Sequence, residues 1–230
     1  MFYKDWKPFY EKIVNDLKLN FEKDKDAAFL LDNILSNKKI VSIKRLEKLI
    51  KNKEIIVFGA GHTLEKSILK HKKYIENKVK ISADGATSAL LKHNILPDII
   101  VTDLDGKISD ILYANNKGAI VIIHAHGDNI EKIKNYVKTF EGEILGTTQI
   151  DPTSYKKLYN FGGFTDGDRA IFLANHFKAK KIFLTGFNFD EKIGEYSFAD
   201  KKDKTMKLKK LKWCKFFIDL LSKESYLKTI

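Results

Sequence analysis

Six short apolar runs constrain this chain more than any other feature, because each breaks into glycine, aspartate, histidine or threonine where it ends. The runs occupy residues 55–58, 79–83, 99–102, 119–123, 143–145 and 182–185. Between them lie stretches whose apolar residues recur every three or four positions, at 63–74, 86–93, 108–115, 130–140 and 168–177. Val/Ile-rich strands alternating with amphipathic helices predict a mostly parallel sheet with helices on both faces. The expected class is therefore α/β, with a Rossmann-like order. Glycine marks the edges of this body: all 13 glycines fall between Gly59 and Gly194. The glycine-free ends carry helical spacing at 7–19, 26–35, 43–50 and again at 204–222. Three parts are expected: a helical N-terminal extension over 1–53, an α/β catalytic body over 54–190, and a helical C-terminal segment over 191–230 packed on it.

With 43% hydrophobic positions in 230 residues, the chain has enough apolar material for one substantial core, which excludes disorder as its main state. The longest apolar stretch, residues 118–123, is far short of the roughly 20 residues that cross a bilayer. The first residues lack the apolar centre of a signal peptide, and Cys214 has no second cysteine to pair with. A cytoplasmic protein with no membrane contact is the expectation. The formal charge of +12 asks for an anionic partner. Only Arg45 and Arg169 are arginines, however, and sequence-reading proteins lean on the arginine fork for guanine. No specific nucleic acid is expected; a non-enzymatic basic nucleic-acid module is the binding-protein alternative.

Chemistry gathers at the carboxyl ends of the runs, where open α/β sheets bind ligands. Asp103 and Asp105 are spaced two apart at one strand end, and Asp84 and Asp128 close two others. Two carboxylates about 4 Å apart repel by roughly 4 kcal/mol at an effective dielectric of 20, a conflict that a divalent cation removes. Hard oxygen ligands favour Mg²⁺ that also bridges substrate phosphates; a helix cap or an Asp-Gly turn is the plainer use of the same residues. Gly59, Gly61 and Thr63 follow a strand and open a helix, a place where free amides favour an anion. The dinucleotide fingerprint fails at Leu64, and no Walker lysine is present. His124, His126 and Asp128 could bind Zn²⁺, or His126 could contact phosphate. Arg169 lies beside Asp166 and Asp168 in a glycine turn; held by them, its guanidinium could meet a phosphate in bidentate fashion, while Asp166 also reads as a helix cap. The lysine-rich stretch 201–212 reads as a solvated helix face or as a cover over nucleotide phosphates.

Taken in order, Asp84-Gly85-Ala86, the run from Pro97 through Thr102-Asp103-Leu104-Asp105-Gly106, and His126-Gly127-Asp128-Asn129 resemble the catalytic region of thiamin pyrophosphokinases. With the 59–64 turn, the His-Ala-His-Gly-Asp-Asn loop and Gly163-Phe164-Thr165-Asp166-Gly167-Asp168-Arg169, the set is similar to the archaeal 6-hydroxymethyl-7,8-dihydropterin pyrophosphokinases, the MptE-like group, over about residues 55 to 190. The resemblance implies transfer of the terminal diphosphate of ATP to the pterin hydroxymethyl group, with release of AMP. It implies Mg²⁺ on Asp103 and Asp105, with Asp128 as the third acidic position and Asp84 as the aspartate of the Asp-Gly turn. Arg169, the amides of the glycine turn and His126 would then steady phosphates. Ala86 and the histidine-bearing third loop depart from the thiamin pattern and argue against thiamin as acceptor. For the pterin, Phe161, Phe164, Phe187, Asn188 and Phe189 are candidates by position, with core packing as the plainer use. Thiamin-type relatives are commonly dimers, so a homodimer is expected as well. Thiamin pyrophosphokinase and a His/Asp metal-dependent phosphohydrolase are the competing enzymes, the latter built on a β-rich sandwich.

Overall fold

The computed structural model describes residues 3–190, 192–197, 204–223 and 225–230. Its centre is one parallel eight-stranded sheet in the order β6-β5-β4-β3-β2-β1-β7-β8. The strands are β1 (Glu54–Phe58), β2 (Val79–Ala83), β3 (Ile99–Thr102), β4 (Ile120–Ala125), β5 (Ile144–Thr148), β6 (Leu158–Tyr159), β7 (Lys181–Thr185) and β8 (Leu227–Thr229). The helices are α1 (Tyr3–Leu17), α2 (Phe21–Leu35), α3 (Ile43–Ile50), α4 (Leu64–Glu76), α5 (Ala86–Lys92), α6 (Ile108–Asn116), α7 (Ile130–Tyr136), α8 (Asp166–His176) and α9 (Lys204–Leu221). The α/β class expected from the alternating pattern is what the chain adopts.

Alternation along the central strands sorts side chains onto two apolar faces. Ile55, Val57, Ile182 and Leu184 join the larger core with Ala170–Ala174 of α8, with α1 and α2, and with Phe217 of α9. Ile56, Phe58 and Phe183 point the other way, into a smaller core with Leu64 and Ile68 of α4 and Ala89 and Leu90 of α5. The sheet is thus covered on both sides, which is why its strands carry uninterrupted apolar runs rather than alternation. Both glycine-free ends of the chain belong to the larger core: Trp6, Tyr10, Ile13 and Leu31 are buried there beside sheet residues.

Several boundaries differ from the sequence expectation. Helix α2 begins at Phe21 because the Asn20 side chain accepts from the amides of Glu22 and Lys23, an N-cap outside the apolar periodicity. Strand β5 runs through Gly146, Thr147 and Thr148, which had read as its terminal loop. Gly146 is needed there for packing, since a Cβ would lie 2.4 Å from both Leu158 and Leu35. The C-terminal segment is not helical throughout: β8 adds to the sheet beside β7. Two- and three-residue strands at both sheet edges, β6 and β8, were too short to leave a periodic signal.

Strand order reverses between β1 and β7, and the loops after these two strands pack backbone on backbone. The amide of Gly59 donates to Thr185 O at 2.9 Å and that of Gly61 to Gly186 O at 2.8 Å. Gly186 has φ +69°, and a Cβ there would stand 2.1 Å from Gly59 O. Gly186→Ala therefore combines strain with overpacking and is expected to lower unfolding stability by about 2–3 kcal/mol. A urea midpoint unchanged from wild type would contradict this close approach.

Candidate active site

At the carboxyl ends of β1 to β5 and β7 lies one cavity of about 1070 Å³. Its floor is acidic. Strand β2 delivers Asp84 in the left-handed region, at φ 42°, and Thr102 at the end of β3 donates to Asp84 Oδ1 at 2.6 Å. The same Thr102 hydroxyl accepts from the Leu104 amide at 2.8 Å, which shapes the turn that carries Asp103. Leu104 is itself left-handed, at φ 68°. Gly106 leaves room for the aspartate: a Cβ at that position would stand 2.9 Å from both Asp84 carboxylate oxygens.

The third carboxylate comes from α8. Thr165 caps this helix, and Asp168 completes a capping box, accepting from the amides of Phe164 at 2.6 Å and Thr165 at 2.8 Å. Asp168 is fully buried in that task. Asp166 is left to face the cavity; it accepts from the Asp103 amide at 3.2 Å and from Arg169 Nη1 at 3.0 Å. Carboxylate oxygens of Asp84, Asp103 and Asp166 all lie within 4.8 Å of one another. That spacing suits the oxygen ligands of a hard divalent cation.

The expected acidic residues share this hollow but divide in role. Asp103 is central. Asp105 lines the cavity yet pairs with Lys132, and its side chain is 54% exposed. Asp128 lies on the rim, with a 73% exposed side chain outside the triad. Asp84, expected as the aspartate of the Asp-Gly turn, and Asp166, expected to hold Arg169 or cap the helix, occupy the two remaining triad positions. Asp168 serves as the cap instead of Asp166, because the Thr165 N-cap puts the box partner three residues on.

His126 Nε2 lies 3.3 Å from Asp103 Oδ2, while its Nδ1 accepts from the Asp128 amide at 3.3 Å. With Nδ1 accepting, the ring proton sits on Nε2 and points at Asp103. His124 is buried on Thr147 instead and does not line the cavity. Gly59 and Gly61 line the cavity, but the amides expected to cradle phosphate are bonded to the β7 loop, and the Thr63 amide and hydroxyl both donate to Asn188 Oδ1, at 3.1 and 2.8 Å. The two glycines thus serve loop contact, and their own amides are not free for an anion. Phe164, Phe187, Asn188 and Phe189 reach the cavity; Phe161 stacks on Tyr159 in the core instead.

Three further groups shape the site. Asn129 donates to Asp103 O at 2.8 Å and His124 O at 2.7 Å, tying the β3 and β4 ends together. Asp24 of α2 accepts from the Gly127 amide at 2.7 Å and from Gln149 Nε2 at 2.8 Å, and Tyr10 donates to it as well. Lys207 and Lys210 of α9 line the same cavity as the acidic floor. Lys201 and Lys202 of the same basic stretch lie outside the described residues. The buried fit of Asp24 depends on helix packing that only the assembled fold defines.

A profile described as "6-hydroxymethylpterin diphosphokinase MptE-like" matches residues 29–194. The chain belongs to the MptE-like family. It is 44% identical to the 6-hydroxymethyl-7,8-dihydropterin pyrophosphokinase of Methanocaldococcus jannaschii, over 95% of each chain. Against the protein of that name from Pyrococcus furiosus the identity is 43%, over 100% of this chain and 98% of the other. With that of Methanothermobacter thermautotrophicus it is 42%, over 85% and 82%. Among solved structures, the MAf glycosyltransferase of Magnetospirillum magneticum AMB-1 superposes with a TM-score of 0.51 at 13% identity, over 74% of this chain and 28% of that one. That likeness concerns the fold alone. The parallel sheet of this MptE-like chain also removes the β-sandwich phosphohydrolase alternative.

Crowding sets the charge state of the floor. Burial, followed by the charge of Asp103, pushes Asp84 up to about 7 against the hydrogen bond from Thr102. Burial also acts on Asp103 to raise it, but the hydrogen bond from His126, with the charges of Arg169 and Lys210, outweighs it and holds that carboxyl below its ordinary value. Asp166 is raised by burial and then by Asp103. A carboxyl whose folded pKa exceeds its unfolded one stabilises the fold fully below the unfolded value, near 3.8 here, and loses that contribution as pH climbs through about 7. Without divalent cations, thermal stability should therefore fall between about pH 4 and 7. Added Mg²⁺ should raise the melting temperature more at pH 8 than at pH 5, since at pH 5 it must displace the Asp84 proton. An equal shift at both values would contradict metal binding at Asp84.

Proposed function

We propose that this chain transfers diphosphate from ATP to 6-hydroxymethyl-7,8-dihydropterin, giving AMP and the pterin diphosphate, with Mg²⁺ held by Asp84, Asp103 and Asp166. The observation that carries the reading is the convergence of these three carboxylates within 4.8 Å at the head of a parallel sheet, in an MptE-like chain. Three relatives named for this reaction, covering most or all of the chain at 42–44% identity, favour the pterin over thiamin as acceptor. Asp105 and Asp128, at the mouth, are suited to water-mediated contacts with the same cation. Mg²⁺ would supply charge neutralisation and a template for the phosphate oxygens.

The residues of the chain do the positioning. The hydroxymethyl oxygen bonds to the β-phosphorus as the bond from that phosphorus to the α–β bridging oxygen breaks, and the bridging oxygen leaves on AMP with the electron pair. In a loose transition state the hydroxyl proton departs late, so water suffices to take it. His126 is not set up as the base, because its Nδ1 is occupied by the Asp128 amide and its Nε2 carries the proton toward Asp103. It serves instead to orient Asp103. Arg169, anchored by Asp166 and 7% exposed, presents a fixed positive charge where charge develops on the phosphates. ATP as donor agrees with a cytoplasmic location, and among the described residues no helix is long and apolar enough to cross a membrane. A homodimer, expected from the thiamin-type resemblance, belongs to the same proposal; light scattering measures it.

Incubation with Mg-ATP and either the dihydropterin alcohol or thiamin, scored for AMP, tests the assignment. AMP is expected with the pterin alone. Asp103→Asn should lower its release by about 100-fold or more with the fold intact by circular dichroism; near-normal turnover would remove Asp103 from the metal site. Gly106→Ala, which intrudes on Asp84, should raise the Mg²⁺ concentration needed for half-maximal AMP release.

A further inference from the structure

Helix α9 begins at Lys204, beyond the 29–194 segment that the family profile matches, yet it forms one wall of the cavity. Lys207, Lys210, Leu211 and Cys214 all line that wall. Their spacing of three, four and seven places them on a single helical face. The adjacent lysines diverge from it: Lys209 is exposed, and Lys212 lines a separate shallow groove with Phe9 and Trp213. Among the described residues, neither Lys207 nor Lys210 is ion-paired to a carboxylate; Lys207 donates to Ser197 O at 3.1 Å and to the Ser197 hydroxyl. Burial lowers the Lys207 pKa, opposed by the charges of Asp105 and Asp84, and the charge of Lys210 reaches Asp103. Two half-buried ammonium groups thus share the cavity with the carboxylates, within electrostatic range of Asp84, Asp103 and Asp105 but with no ion pair between the two sets among the described residues. An anion bridged to the carboxylates by a cation completes such an arrangement, and lysine acts on phosphate as a point charge.

We infer that Lys207 and Lys210 bind the β- and γ-phosphates of ATP, the group that is transferred, so that the C-terminal helix is a phosphate clamp of the active site. The inference rests on the pyrophosphokinase reading and adds to it residues outside the matched family segment. Serine anchoring fixes Lys207 from the loop that also brings Tyr196 to the cavity, so the clamp is preorganised on at least one side.

Calorimetric titration with α,β-methylene-ATP in Mg²⁺ tests this without turnover, because the methylene bridge cannot be cleaved by transfer. The Lys207→Ala/Lys210→Ala double variant should bind the analogue at least fivefold more weakly than wild type, with AMP affinity within twofold. Lys210→Arg in the Lys207 background should recover part of a Lys210→Ala loss, and Lys209→Ala, which removes the same charge from the opposite side, should match wild type. A loss below fivefold in the double variant, or an equal loss for AMP, overturns the clamp. If the wild type binds the analogue and forms AMP with the pterin, such a result sinks the clamp alone. If the wild type does neither, the pyrophosphokinase reading fails and the clamp falls with it.

Discussion

Mutual repulsion among Asp84, Asp103 and Asp166 is the constraint around which the rest of the site is arranged. Each carboxylate comes from a different segment, so sheet pairing and helix packing, not local sequence, hold them together. Much of the surrounding detail serves that end. Thr102 grips Asp84, Gly106 clears space for it, Asn129 ties the β3 turn to β4, and His126 and Arg169 supply positive character on two sides. Asp84 itself and Leu104, the neighbour of Asp103, have left-handed backbone. Backbone strain at these positions persists because neighbouring strands over-determine the turn.

The flanking helices are part of this arrangement. Asp24 on α2 holds the Gly127 amide and hence the loop that bears His126, while Gln149 and Tyr10 converge on the same carboxylate. At the opposite wall α9 buries Phe217 against Phe172 of α8, the helix whose first turn presents Asp166. Displacing either flank would therefore move a carboxylate or its counter-charge. Glycine has a different part. In the β1 and β7 loops it permits backbones to touch, and the amides of Gly59 and Gly61 are spent on that contact.

The fold was legible because long apolar strands and amphipathic helices leave periodic signals; the six sequence runs each became a strand. What escaped was short or cooperative. Strands β6 and β8 span two and three residues, too few to repeat a pattern. The Asn20 cap was polar and lay outside the periodic run. Within the site, Asp103 and the Asp166–Arg169 turn were visible as strand-end and helix-start signals. Their partnership was not, since residues 103 and 166 meet only once α8 crosses the sheet. Sequence proximity favoured Asp105 as the partner of Asp103, but β3 ends at Thr102, and the left-handed turn at Leu104 carries the second aspartate outward to Lys132. Asp166 and Asp168 illustrate the same limit: either could cap α8, and the identity of the cap residue, Thr165, decides which one is released.

Pairing of β1 with β7 joins Ile55 to Ile182 and Phe58 to Thr185, bringing early and late parts of the chain side by side at the crevice. Contacts of such separation form slowly, because the intervening polymer must first be gathered. On a ribosome, β1 through β5 can associate as they emerge, whereas the glycine loops cannot meet until β7 has cleared the exit tunnel. Nucleotide-binding competence should consequently arrive late in biogenesis, after most of the apolar interior is already sheltered from solvent.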